Sequence, residues 1–239
     1  MAGEGQRFID AGYTTPKPLI DINGFPMVIR AAKSLPEADQ WIFICRENHI
    51  KGEKIDRVLT KHFPGALVLL VDHLTEGQAT TCLLARDHIL PDDQLTIGAC
   101  DNGMIFDSKE YEQLIKNHDA LVWTFRNNPS ILQNPKMYGW VKVNKSGVAT
   151  GVSCKVPISD DPLRDHAVVG TFSFKKAEYF LECADEMICK NRRINNEFYL
   201  DVVLDECVLN RYNVIPFEVN DYFCWGTPKD LEDYFLQDI

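Results

Sequence analysis

Short apolar runs alternate with segments of helical period through the first half of the chain. Residues 41–45, 66–71, 95–99 and 120–125 have the length and apolar content of buried strands, and 51–62, 78–90 and 108–118 read as helices between them. Strand alternating with helix predicts a mostly parallel sheet covered by helices on both faces. Beyond Phe125 the pattern changes. Residues 140–143 and 148–154, joined through Asn144 and Gly147, predict a hairpin. A strand at 167–174, helices at 177–189 and 197–209, a strand at 213–219 and a closing helix from Pro228 complete the series. Residues 126–136, rich in Asn and Pro, predict a mobile loop in preference to an ordered lid.

Length and charge narrow the picture. A chain of 239 residues with 45% hydrophobic content can bury one sizeable core, and one domain over 1–239 is expected. A net charge of −10 argues against a nucleic-acid polymer or an anionic membrane as partner, since both favour a basic face. No apolar run reaches spanning length and no charged-then-apolar leader opens the sequence, so a cytoplasmic location is expected. The eight cysteines include no Cys-x-x-Cys pair and mostly fall in apolar runs, which points to reduced buried thiols. The six histidines are too scattered for a zinc motif.

Candidate chemistry begins at the first residues. Ala2, Gly3 and Gly5 form a loop whose glycines let backbone approach a ligand closely, while Arg7 and Lys17 supply cations ten residues apart. The loop lacks the third glycine of a dinucleotide fingerprint, and no Gly-Lys-Ser/Thr of a Walker loop is present. The longer run has Gly3, Gly5, Arg7, Phe8 and Gly12, then Pro16-Lys17-Pro18-Leu19-Ile20 and Gly24-x-Pro26-Met27. It resembles the N-terminal signature of the sugar nucleotidyltransferases, or nucleotide-sugar pyrophosphorylases. The ending Gly226-Thr227-Pro228-x-Asp230-Leu231-x-x-Tyr234 resembles the same family's C-terminal motif.

The resemblance implies a Rossmann-like α/β domain of the GT-A type. Its mixed, mostly parallel sheet would be flanked by helices, with a small antiparallel substrate region. In the family a short apolar strand precedes the glycine loop, and no residues stand before Met1 to form it; a fragment or a mis-started chain is expected in preference to a true start at Met1 with the usual first strand missing from the sheet. Asp101 falls where the family carries a metal-binding aspartate, which implies Mg2+; from its tetrapeptide alone, Asp-Asn-Gly would be a turn. Gly77 and Gln78 match the nucleobase element, although their residues would serve equally as a helix start. Tyr138 and Gly139 match a strand entry lining the acceptor pocket. Lys155 matches the lysine that contacts the acceptor phosphate, with Cys154 where the family has an acid. Gly170 matches a glycine near the sugar. Glu197 matches a glutamate that binds sugar hydroxyls, and read by itself it is a first-turn helix carboxylate. Cys224 occupies the position of a second metal-binding aspartate and is a poor Mg2+ ligand.

The implied reaction is attack of a phosphate oxygen on the α-phosphorus of an NTP, with expulsion of pyrophosphate. Its substrates are an NTP and a small phosphorylated acceptor, such as a sugar 1-phosphate for capsule or other surface-polysaccharide precursors. Arg7 and Lys17 are the expected catalytic cations. Two alternatives stand beside it: a GT-A glycosyltransferase, disfavoured by the lack of Asp-x-Asp at 100–102, and a non-catalytic nucleotide-binding module. Homo-oligomer formation is left open.

Overall fold

The computed structural model describes residues 5–47, 50, 52 and 54–237. In chain order its strands are β1 (Asp21–Ile22), β2 (Phe25–Pro26), β3 (Ile42–Arg46), β4 (Leu67–Val71), β5 (Leu95–Ile97), β6 (Asn102–Ile105), β7 (Ala120–Phe125), β8 (Gly139–Val143), β9 (Ala149–Cys154), β10 (His166–Phe174), β11 (Val214–Glu218) and β12 (Asp221–Cys224). The chain divides into two compact units. One is drawn from Met1–Thr75, Gly98–Ile105 and Tyr222–Ile239, and the other from Glu76–Ile97 and Phe106–Asp221.

The second unit is built on a sheet of order β11-β7-β10-β8-β9, with β5 also paired to β10. All six residues of β7 are buried, which is why its sequence is apolar at every position but Thr124 instead of alternating. It runs parallel to β11 and antiparallel to β10. The other edge of β10 is shared: His166 and Ala167 pair with β8, and Phe172 to Phe174 pair with β5. Since β5, β7 and β8 all oppose β10, they run in one direction with β11, and only β9 and β10 run against them. The register shifts between Val168 and Phe172, and Gly170 in that bulge takes φ +95°, a conformation that costs glycine little.

Helices Ala177–Cys189 and Leu200–Leu209 bury Phe180, Met187, Val203 and Leu204 in one cluster with Val122, Phe172 and Phe174 of the sheet. Trp123, Phe106, Tyr111 and Phe217 form an aromatic cluster with mostly edge-on contacts. Its polar atoms are satisfied in series. Trp123 Nε1 donates to Ser173 Oγ (2.9 Å), which is 2.8 Å from Thr96 Oγ1, itself 3.0 Å from the Tyr111 hydroxyl.

In the first unit β3 and β4 pair in parallel, and helices Met27–Ala32 and Ile55–His62 bury Ile29, Ile55 and Leu59 beside Phe43 and Cys45. A second cluster joins Phe8, Ile22, Met27, Trp225 and Leu231. Strands β6 and β12 pair there, and Gly103 is needed because a Cβ would stand 2.7 Å from the Trp225 ring.

The expected fold class is found, with local differences. The helix expected over 78–90 is Gln78–Leu83 followed by a 3-10 turn at Arg86–His88. Near its start, the Thr80 and Thr81 hydroxyls both donate to the Gly77 carbonyl at 2.9 Å, adding side-chain bonds to a helix turn. Residues 102–105 are not a turn: they extend as β6, which pairs with β12. The segment expected as a mobile loop holds one helical turn, Ser130–Gln133, and a 3-10 turn, Pro135–Met137. Among the described residues all eight cysteines are free, and no helix is long and apolar enough to cross a membrane.

Candidate active site

Each unit carries one set of converging polar groups. In the first unit, Gly5 adopts φ +67° at the start of helix Gln6–Asp10, and a Cβ there would lie 3.2 Å from Lys17 Cβ. The 3-10 turn Lys17–Leu19 follows Pro16 and fixes the stem of Lys17. Its ammonium donates to Asp101 Oδ2 at 2.5 Å and to the Gly226 carbonyl at 2.9 Å, with Phe8 beneath it at 5.3 Å from the ring centroid. The Lys17 side chain is 16% exposed and that of Asp101 31%, so both partners are half-buried. Arg7, in contrast, stands exposed on its short helix.

Asp101 is held by its backbone, since its carbonyl accepts from Trp225 N at 2.9 Å. The turn after Trp225 brings further groups to the same place. A Cβ on Gly226 would lie 3.4 Å from Cys224 Sγ, 3.6 Å from Asp230 Oδ2 and 3.9 Å from Asp101 Oδ2. Asp230 is already committed: its Oδ2 accepts from Thr227 N (2.8 Å) and Thr227 Oγ1 (2.6 Å), and its own N–H donates to Thr227 Oγ1 (3.1 Å). This reciprocal arrangement caps helix Pro228–Gln237. Burial pushes the Cys224 thiol up to about 12, so it stays protonated at neutral pH.

Does this set suit a divalent cation? Among the described residues no group of three metal-ligating side chains is present. A protonated thiol and a carboxylate engaged in capping are poor candidates, which leaves Asp101 as the hard oxygen donor. Mg2+ is commonly held by one or two carboxylates together with substrate phosphates and water, and Asp101 fits that mode.

The second unit gathers the other set around the start of helix Leu200–Leu209. Ile194 and Glu197 exchange two backbone bonds of 3.0 Å across Asn195 and Asn196, whose φ values of +51° and +65° suit a type I′ turn. Glu197 therefore sits in a turn before the helix, exposed, instead of in its first turn as read from sequence. Lys155 leaves β9 with φ +59°, donates its backbone N–H to the Tyr138 carbonyl (3.1 Å), and reaches the Tyr199 hydroxyl with its ammonium at 2.8 Å. The same ammonium stands 4.6 Å from the Tyr199 ring centroid.

Behind this pair lies Asp201. Its Oδ1 is buried without a hydrogen-bond partner, and a Cβ on Gly139 would stand 2.0 Å from it. Gly139 thus makes room for a carboxylate of its own chain, a role that sequence reasoning did not give it. Burial raises the Asp201 pKa to about 6, against its own backbone N–H, the Cys154 thiol and the Lys155 charge, which all favour ionisation. Burial and the charge of Asp201 in turn push the Cys154 thiol far up.

Gly77 (φ +130°) abuts the same region, since a Cβ there would be 2.5 Å from Phe198 N and O. Phe198 N donates to Glu76 O (2.8 Å) and Ala79 N donates to Phe198 O (3.0 Å), while Gln78 is exposed at the start of its helix. Tyr138 is buried, edge-on to Phe125 and Trp140. Gly170 lies in the β10 bulge. Ala2 and Gly3 lie outside the described residues. Tyr199 and Asp201 were given no role from sequence. The only signal was their place two and four residues after Glu197.

The sequence profile of the family described as Nucleotidyl transferase matches residues 1–224. No curated protein sequence matches the chain. Among solved structures, it is similar to the nucleoside-diphosphate-sugar pyrophosphorylase from Vibrio cholerae RC9, with TM-score 0.81 and 19% identity over 99% of this chain and 98% of that one. The inositol-1-phosphate CTP transferase from T. maritima gives TM-score 0.73 and 15% identity, covering 99% and 92%. The UTP-bound UGPase from Acinetobacter baumannii gives 0.70 and 15%, covering 99% and 90%. At these identities the likeness is one of fold, and that fold is the Rossmann-like mixed α/β architecture described above.

Proposed function

Because this chain belongs to the nucleotidyl transferase family, we propose that it moves NMP from an NTP to a sugar 1-phosphate or a related small phosphate and releases pyrophosphate. It is a nucleotidyltransferase; the acceptor class is the step taken here. The observation that carries the proposal is the Lys17 ammonium held between Asp101 Oδ2 and the Gly226 carbonyl, a fixed cation beside a hard carboxylate. Among the structural neighbours, one is described as a nucleoside-diphosphate-sugar pyrophosphorylase and another as an inositol-1-phosphate CTP transferase, which supports an acceptor range of sugar and polyol phosphates.

The chemistry joins two anions, and the side chains proposed here neutralise and position them. Lys17 and Arg7 bind the triphosphate, next to a loop of Ala2, Gly3 and Gly5. Gly77 and Gln78 receive the base. Lys155 takes the acceptor phosphate and Glu197 a hydroxyl of the acceptor, with Tyr138, Gly139 and Gly170 shaping that region. Asp101 would hold Mg2+, which when bound supplies charge neutralisation at the phosphates. The chain acts as one nucleotidyltransferase domain in the cytoplasm, making activated sugars for surface polysaccharides.

The test is pyrophosphate release in the presence of Mg2+, each NTP and a panel of sugar and polyol phosphates. Release that requires both substrates supports the proposal. Silence with every pair, together with nucleotide binding, leaves a binding module and refutes it; consumption of a nucleotide sugar without pyrophosphate release points to glycosyl transfer.

A further inference from the structure

The acceptor set in the second unit contains a residue that the reaction chemistry does not require. Tyr199 is 9% exposed, and its hydroxyl is the partner of the Lys155 ammonium. A phenol oxygen that accepts from an ammonium still has one proton to place. Burial first, then hydrogen bonding to Glu197 and its charge, hold the Tyr199 phenol well above its ordinary value. A phenol held protonated in this way remains a donor at any working pH.

Three backbone features fix the members of this chain. The left-handed Lys155 turns its side chain out of the end of β9, and the Asn195-Asn196 turn presents Glu197. The Phe198 backbone, bonded on both sides to residues 76 and 79, holds Glu197 and Tyr199 at either end of one anchored residue. Lysine and glutamate side chains are otherwise long and free to rotate, and ordering either costs conformational entropy. For Lys155 that ordering is built in by its bond to Tyr199 before any ligand arrives.

We propose that Tyr199 is a specificity-determining positioning residue: its hydroxyl holds the Lys155 ammonium over the anchored segment that also carries Glu197, so that the acceptor's phosphate and one of its hydroxyls are read together. The inference rests on the acceptor assignments of Lys155 and Glu197 proposed above. A carboxylate that accepts from an acceptor hydroxyl favours that acceptor over the analogue lacking it.

Tyr199→Phe keeps the ring and its stacking with Lys155 and removes only the hydroxyl. Steady-state pyrophosphate release is measured for the parent, Tyr199→Phe, Glu197→Gln, Lys155→Ala and the Lys155→Ala/Tyr199→Phe double variant. Acceptors are the best ring phosphate of the panel and its mono-deoxy analogues. For Tyr199→Phe, acceptor KM is expected to rise about 10-fold with NTP KM unchanged and kcat within about threefold. Preference for the hydroxylated acceptor over one deoxy analogue is expected to fall about 10-fold. Glu197→Gln should reproduce that loss of preference, and the double variant should be no worse than Lys155→Ala alone. A tyrosine that merely filled the core would lower thermal stability and leave KM and preference in place.

Two results overturn the proposal in distinguishable ways. If Lys155→Ala raises acceptor KM while Tyr199→Phe changes neither KM nor preference, Tyr199 has no positioning role and the acceptor assignment stands. If Lys155→Ala leaves acceptor KM unchanged, or the parent releases no pyrophosphate with any pair, the acceptor assignment itself falls and takes this inference with it.

Discussion

Asp201→Asn should make the protein more stable at neutral pH, even though it alters a buried residue in the proposed acceptor region. The carboxyl's ordinary pKa is 3.8, and burial carries it to about 6 in the fold. Ionising it there costs on the order of 3 kcal/mol more than in the unfolded chain, from roughly two units at 1.36 kcal/mol each. The sign follows from proton counts. Between about pH 4 and pH 6 the folded state holds a proton that the unfolded state has released, so stability falls as pH rises through that window and stays low above it. Asparagine carries no such charge. It does lose charge-assisted bonds with the Asp201 backbone N–H and the Cys154 thiol, worth about 1–2 kcal/mol together. The expected net gain is about 1–2 kcal/mol at pH 8, shrinking to zero or reversing near pH 4. Urea midpoints for parent and variant across that range measure the difference. An offset that is the same at every pH would show that Asp201 does not titrate within the fold and would refute the reasoning.

Three further outcomes are expected. Lys17→Ala should lower turnover about 100-fold or more by removing a preorganised cation, and near-normal pyrophosphate release from the purified variant would sink its catalytic assignment. Gly77→Ala should cost about 3 kcal/mol, since a Cβ would meet the Phe198 backbone at 2.5 Å in a left-handed conformation; an unchanged melting temperature would mean the two segments part easily. Thr227→Val removes the hydroxyl that bonds Asp230 in both directions and should cost about 1 kcal/mol, read as a drop in the urea midpoint, with no change counting against the cap.

Much of the architecture can be read from the chain where burial is one-sided or complete. The apolar run at 120–125 is β7, and the apolar period at 177–189 gives the helix Ala177–Cys189 with the same bounds. The elements that sequence did not yield are short and lean on distant partners. Strand β6 begins in an Asn-Gly pair that locally favours a turn, and it is extended because β12, more than a hundred residues later, pairs with it. The same limit governs the site. Lys17 and Asp101 were singled out by resemblance, but their ion pair joins residues 84 apart. Resemblance points to Gly139 as a substrate-region glycine but cannot show that Asp201, at the start of the helix Leu200–Leu209, packs against it. Nothing in the sequence neighbours of Tyr199 reveals that Lys155 reaches it.

The way β10 shares its edges bears on how the chain is made. It is the strand against which β5, β7 and β8 all pair, and it follows the end of β7 by about 40 residues. At a synthesis rate of roughly 5–20 residues per second, a ribosome would expose the largely apolar β7 for roughly 2–8 s before its antiparallel neighbour emerges, and β11 comes later still. During that interval the nascent strand has both edges open and both faces bare, the condition under which chains pair with one another. Chaperone occupancy of the growing polypeptide is therefore expected to peak between the emergence of Phe125 and that of Phe174, to fall when β10 takes one edge of β7, and to end only when β11 takes the other.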